Sequence, residues 1–248
     1  MTAMAHPARW LVALAATTLA ACEVGTIGPG GGGGGDDDDD DPVGPDAREL
    51  MPSYRVVVAP ESAETTLGTE VTYVIAVDAT DWSGPVTLAA SGAPASWTVS
   101  ITPTVLDVTD GGTATAELRV VIPPNGEAAT AGRALAIDAT AAPGARVATT
   151  SVTVADEYIF PIAAGTGTGL HWGPMAGGLL RLRAGTTLRI PNADSVGHRI
   201  HAGGGVMNHQ PATMAPGGAY VVTVEDGSDT IYCHDHGQGT GEVNINAQ

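Results

Sequence analysis

Residues 71–78 read VTYVIAVD, with Val71, Tyr73, Ile75 and Val77 on one side of an extended chain and Thr72, Val74, Ala76 and Asp78 on the other. That two-residue period predicts a strand with one buried face. Val99 and Ile101 repeat the pattern, as do Ala116, Leu118, Val120 and Ile122 between Gly111-Gly112 and Pro123-Pro124. About seven such strands in roughly 100 residues predict an antiparallel sandwich over 51–156. Composition points the same way. The 248 residues include 34 Gly and 17 Pro but only 4 Trp, 5 Tyr and 1 Phe, a mixture that favours short strands and turns over helical bundles.

The formal charge is −17, from 27 acids against 10 basic residues, all of them Arg. Such a surface repels phosphate, so nucleic acid is excluded as a partner. Residues 23–50 concentrate the acidity, and within them Gly30 to Gly35 is followed directly by Asp36 to Asp41. With no apolar periodicity, 22–50 is predicted to be a disordered acidic linker. As a coil it spans on the order of 30 Å, and repulsion among the aspartates stretches it further. Calcium binding by the Asp run is the alternative, although consecutive aspartates lack the spaced ligands of a dedicated site.

Upstream, Arg9 precedes an apolar run from Trp10 to Ala16 that is too short to span a bilayer, which predicts a signal peptide over 1–21. Leu19-Ala20-Ala21-Cys22 resembles the lipobox of bacterial lipoproteins. The resemblance implies cleavage before Cys22, acylation of its thiol, and a lipid-anchored place in the cell envelope on the periplasmic or outer-surface face. The two cysteines, Cys22 and Cys233, are too few for a disulfide framework, and acylation of the first leaves the second unpaired.

Within 51–156, Trp82-Ser83-Gly84-Pro85-Val86-Thr87-Leu88 and Gly92-Ala93-Pro94-Ala95-Ser96-Trp97 resemble immunoglobulin-like modules of bacterial secreted proteins. This stretch holds neither His nor Cys. Its acids read as a solvated face.

The chemistry lies in 157–248. Five of the 7 histidines fall with Cys233 between His198 and His236. Three segments stand in order: Pro191-Asn192-Ala193-Asp194-Ser195-Val196-Gly197-His198, then Met214-Ala215-Pro216-Gly217-Gly218-Ala219-Tyr220, then Tyr232-Cys233-His234-Asp235-His236-Gly237. Together they resemble the cupredoxins, the blue-copper family, over roughly 185–245. The resemblance implies a Greek-key β-sandwich and one type-1-like copper ion held by His198, Cys233 and His236. The whole chain is thus expected to be all-β: two sandwiches, immunoglobulin-like then cupredoxin-like, after the linker.

The residue chemistry supports that expectation. A soft, electron-donating thiolate with two imidazoles makes a trigonal site that suits copper in both oxidation states. His236 follows Cys233 by three residues in a Gly-rich loop able to turn back over one ion, and His198 supplies the third ligand from a distant strand. Asn192 and Asp194, through side-chain to backbone turns, are expected to fix this approach without binding the ion. His201, three residues after His198, points to the opposite face of an extended strand and reads as structural. His234 is expected to point away from the ion and to lie exposed. His171 and His209 sit in loops, with His209 the better reserve ligand.

One part of the family pattern is missing. No methionine follows His236, where the family usually supplies a weak axial ligand; Gly237 to Glu242 stands there instead. Gln238, Thr240 or Glu242 could bind through oxygen, or Met207 or Met214 could reach in from the preceding loop. Zinc competes for Cys and His, but structural zinc wants four firm ligands at other spacings.

Three functions follow from a copper site. An electron carrier, without substrate turnover, needs one copper and a redox protein partner. A copper capture or delivery protein could use Met207 and Met214 as a landing site for Cu(I). A copper enzyme needs a second, open metal, with His201, His209 or His171 as its source of ligands. The multicopper oxidases carry a His-Cys-His motif; here Tyr232 occupies the place of its first histidine. The carrier is the favoured expectation.

Overall fold

The alternation of apolar and polar residues is realised as strands throughout. A computed structural model of the chain describes residues 51–167, 178–237 and 242–248, and among these it contains fifteen β-strands and no helix. The protein is all-β, with sheets stacked as sandwich layers. Cys22, the linker, His171, Gln238 and Thr240 lie outside the described residues.

One layer is a four-stranded antiparallel sheet in the order β1 (Ser53–Ala59), β3 (Glu70–Thr80), β7 (Thr113–Val121), β5 (Thr98–Thr102). On β3 the side chains of Tyr73, Ile75 and Val77 are fully buried while Thr72 and Val74 are exposed, so the period read from 71–78 is the period of burial. Opposite lie β8 (Ala129–Ala141) and β9 (Gly144–Ile159), which contribute Leu135, Ile137, Val152 and Val154 to the same core. Aromatic hydroxyls tie the layers together. Tyr54 donates to the carbonyls of Ala139 and Gly144 at 2.8 and 2.6 Å, and Tyr73 to that of Ser151 at 2.9 Å. Each buries a ring while its polar tip finds a backbone acceptor.

The second sheet has seven strands. Its order runs β13 (Ala219–Thr223), β11 (Thr187–Pro191), β9, β8, β4 (Gly84–Ser91), β6 (Val105–Val108), with β2 (Ser62–Leu67) parallel to β9. The 16-residue β9 pairs antiparallel with β8 along its first part and parallel with β11 at Glu157–Ile159. The expected boundary at 156/157 therefore lies inside a strand that both halves use.

A third sheet carries the chemistry. Its order is β10 (Leu179–Leu182), β15 (Val243–Ala247), β14 (Gly227–Cys233), β12 (Ile200–His201). Phe160, Ile162, Leu188, Ile190, Ile200, Ile231 and Val243 fill the core beneath it.

Candidate metal centre

Strand pairing sorts the histidines. β12 and β14 run antiparallel with Ile200 opposite Cys233 and His201 opposite Tyr232. Residues directly opposite share a face, so Ile200 and Cys233 point inward together, and His201 and Tyr232 together point the other way. Period two returns His198 to the Cys233 side. His198 and Cys233 are 1% and 3% exposed, and His201 is only half-buried.

The segment after Cys233 closes on itself. The amides of His236 and Gly237 both donate to the Cys233 carbonyl, at 3.3 and 3.0 Å, and Gly237 adopts a φ of 83°, a left-handed conformation suited to glycine. This single turn brings His236 back beside the sulfur. Thr213 Oγ1 donates to the Asp235 carboxylate at 2.8 Å and tethers the turn to the neighbouring loop.

The ligand-type atoms of His198, Cys233 and His236 lie within 4.8 Å of one another, and the two imidazoles meet edge-on with centroids 4.9 Å apart. The structure thus brings together the three residues read from the sequence. Among the described residues, the buried side-chain nitrogens and oxygens without a hydrogen-bond partner are Nδ1 of His198, of His236 and of His209. Buried polar atoms are seldom left in this state.

Asn192 and Asp194 anchor His198. Asn192, 1% exposed, accepts the Asp194 amide at 3.0 Å, the expected side-chain turn, and donates to the carbonyls of Val196 and Met214. Asp194 Oδ2 faces His198 Nε2 at 3.0 Å. The carboxylate also accepts the amides of Ser195, Gly165 and Gly167. The His198 contact first, then these amides, hold the Asp194 carboxyl down at about 2 despite its burial. With Nε2 committed to a carboxylate, the lone pair of His198 is directed to Nδ1.

Met214 and His198 form an antiparallel bridge, with reciprocal amide–carbonyl bonds of 3.0 and 2.7 Å. Met207 and Met214 are both buried, at 3% and 5% exposure. Glu242 is half-buried just before β15.

The other histidines form a second group. His201, His209 and His234 have ligand-type nitrogens within 4.8 Å of one another. His234 is exposed, as expected for its place between two inward-pointing residues. His209 stands with His201 and His234, outside the His198–Cys233–His236 group. His201 lies on the far face, as alternation requires, and His209, named with it as a source of ligands for a second metal, meets it there; that His234 completes the group depends on β-pairing register and loop course.

No family model and no curated protein matches the chain. Among solved structures, a purple cupredoxin from Nitrosopumilus maritimus matches 36% of this chain and 98% of its own at 22% identity, with a TM-score of 0.29. The BIgI domain of the beta protein from S. agalactiae matches 41% of this chain and 96% of its own at 16% identity and a TM-score of 0.27. A family 123 glycoside hydrolase from Clostridium perfringens aligns over 44% of this chain but only 30% of its own, at 13% identity and a TM-score of 0.34. The neighbours thus include a cupredoxin and an immunoglobulin-like domain. What defines the site is its own geometry: a buried thiol between two imidazoles, compatible with copper binding.

Proposed function

We propose that the chain binds one copper ion through Cys233, His198 and His236 and serves as a one-electron carrier. The observation that carries this reading is the pair of buried Nδ1 atoms on His198 and His236, without a hydrogen-bond partner among the described residues and gathered with a buried free thiol. Two nitrogen lone pairs and a thiolate are a donor set suited to copper. When bound, copper supplies a centre that gains and loses one electron.

The chain's own residues prepare the site. Asp194 holds the His198 ring through Nε2, and the tight turn after Cys233 sets His236. Asn192 locks the loop carrying Asp194 and His198, and the packed surroundings of Cys233 keep water from the sulfur. Preformed ligands limit rearrangement when charge changes, which suits electron transfer. Met214, bridged to His198 on the same face, is the axial candidate we favour over Met207 and Glu242. Attachment to the cell envelope through an acylated Cys22, and exchange of electrons with a redox protein, belong to the same reading.

The test is the optical and paramagnetic resonance spectrum of the full chain loaded with Cu(II). An intense visible band is expected, abolished in Cys233→Ser and altered in His198→Ala and His236→Ala. An unchanged spectrum in Cys233→Ser removes the thiolate, and with it the proposal.

A further inference from the structure

We propose that His201, His209 and His234 form a second metal site, open to solvent, for a divalent transition-metal ion of the copper or zinc class. His201 Nδ1 and His234 Nδ1 lie 3.2 Å apart, and His209 Nε2 lies 3.2 Å from the same His234 nitrogen. Imidazoles bound to one such ion at about 2.0–2.1 Å with tetrahedral angles have nitrogens roughly 3.3 Å apart. Two of the three nitrogen pairs already stand at that spacing, and the third lies within 4.8 Å.

Hydrogen bonding alone leaves this arrangement unexplained. A neutral imidazole nitrogen either donates one proton or accepts through one in-plane lone pair. His234 Nδ1 faces two nitrogens at equal distance and cannot serve both well. A cation at their convergence satisfies all three lone pairs.

The cluster is held from behind. The His201 ring stacks on Tyr232 with centroids 4.4 Å apart. Gln210 brackets Ile200, accepting its amide at 2.8 Å through Oε1 and donating its own amide to the Ile200 carbonyl at 3.1 Å, which lays His209 beside His201. The His234 amide donates to the Arg199 carbonyl at 2.7 Å. Between them the loop after His201 is pinned by Asp229, whose carboxylate accepts the amides of Gly203, Gly204 and Gly205 at 3.0–3.1 Å. Gly204 has a φ of 87°, and a Cβ on Gly205 would meet the Ser228 carbonyl at 2.6 Å, so glycine is required for this close approach. Because His234 is exposed, the remaining coordination positions face water, the arrangement of three protein ligands and an open place.

The proposal stands apart from the Cys233 site, and its test separates the two. The metal-stripped full chain, carrying no affinity tag, is titrated with Zn(II), and bound metal is counted for wild type, His209→Ala and Cys233→Ser. We expect two equivalents in wild type and one in each variant, the second equivalent in His209→Ala being weakened at least about tenfold and so dropping out of the stoichiometric count. Cu(II) added to the Cys233→Ser, His198→Ala double variant should show nitrogen hyperfine coupling from imidazoles, altered and weakened when His209→Ala is added. His201→Gln replaces His209→Ala should the latter fail to fold. A single equivalent that survives Cys233→Ser and disappears in His209→Ala sustains this site and contradicts the copper reading. Metal binding that is unchanged in both His209→Ala and His201→Gln overturns the proposal.

Discussion

The two ends of the molecule solve burial differently. From Tyr54 to Val154 the interior is apolar, and Thr150 is the single buried polar residue, its hydroxyl donating to backbone carbonyls at 3.0 and 3.1 Å. Beyond residue 185 the interior admits Thr186, Asn192, Asp194, His198 and Gln210, with the thiol of Cys233 among them. Buried polar groups cost stability unless they are satisfied. Asn192, Asp194 and Gln210 are satisfied by backbone bonds that hold loops in place, whereas, among the described residues, the Nδ1 atoms of His198, His209 and His236 have no hydrogen-bond partner. One region spends its core on stability, and the other accepts unmet polar demand at the place where a ligand could meet it.

Substitutions on either side test this contrast. Cys233→Ser should have the largest effect, abolishing thiolate-to-metal absorption while leaving the unfolding midpoint of the metal-free chain close to wild type; a collapsed fold instead would make Cys233 a packing residue. Leu118→Ala, in the N-terminal core, should cost about 2–5 kcal/mol in denaturant unfolding, and the spectrum of the loaded site should persist below the transition. Asp194→Asn should weaken metal binding about 10–100-fold in competition with a chelator, since the His198 ring loses its carboxylate partner. An unchanged affinity would assign Asp194 to loop structure alone. Tyr54→Phe should be the mildest, about 1 kcal/mol of stability from the lost hydroxyl donor with no effect on metal affinity.

Much of this contrast was legible in the sequence because it rests on local rules. Period two marks β3 and β7 from their residues alone, since alternate side chains must face opposite sides. The separation by three residues of Cys233 and His236, and the Asn192–Asp194 turn, are likewise short-range and appear in the structure as read. What was hidden depends on long-range pairing. No break in 144–159 announces that β9 pairs with β8, β2 and β11 along its length, because nothing in its composition marks where one partner gives way to another. The meeting of His201, His209 and His234 was hidden for the same reason. It requires His201 to sit opposite Tyr232 and Gln210 to fold back on Ile200, and neither register is written in the spacing of the histidines. An inward His198 and an outward His201 were the available signal, and His201 and His209 already stood as candidates for a second metal; that His234 joins them is what no spacing gave.

The central claim is that a sulfur and two imidazoles from separate parts of the chain share one ion. X-ray absorption at the copper edge, on the His209→Ala chain carrying one equivalent of copper, tests it most directly. One short sulfur scatterer is expected together with two imidazole nitrogens, the sulfur vanishing in Cys233→Ser. A shell of nitrogen and oxygen alone, the same with or without Cys233, would contradict it.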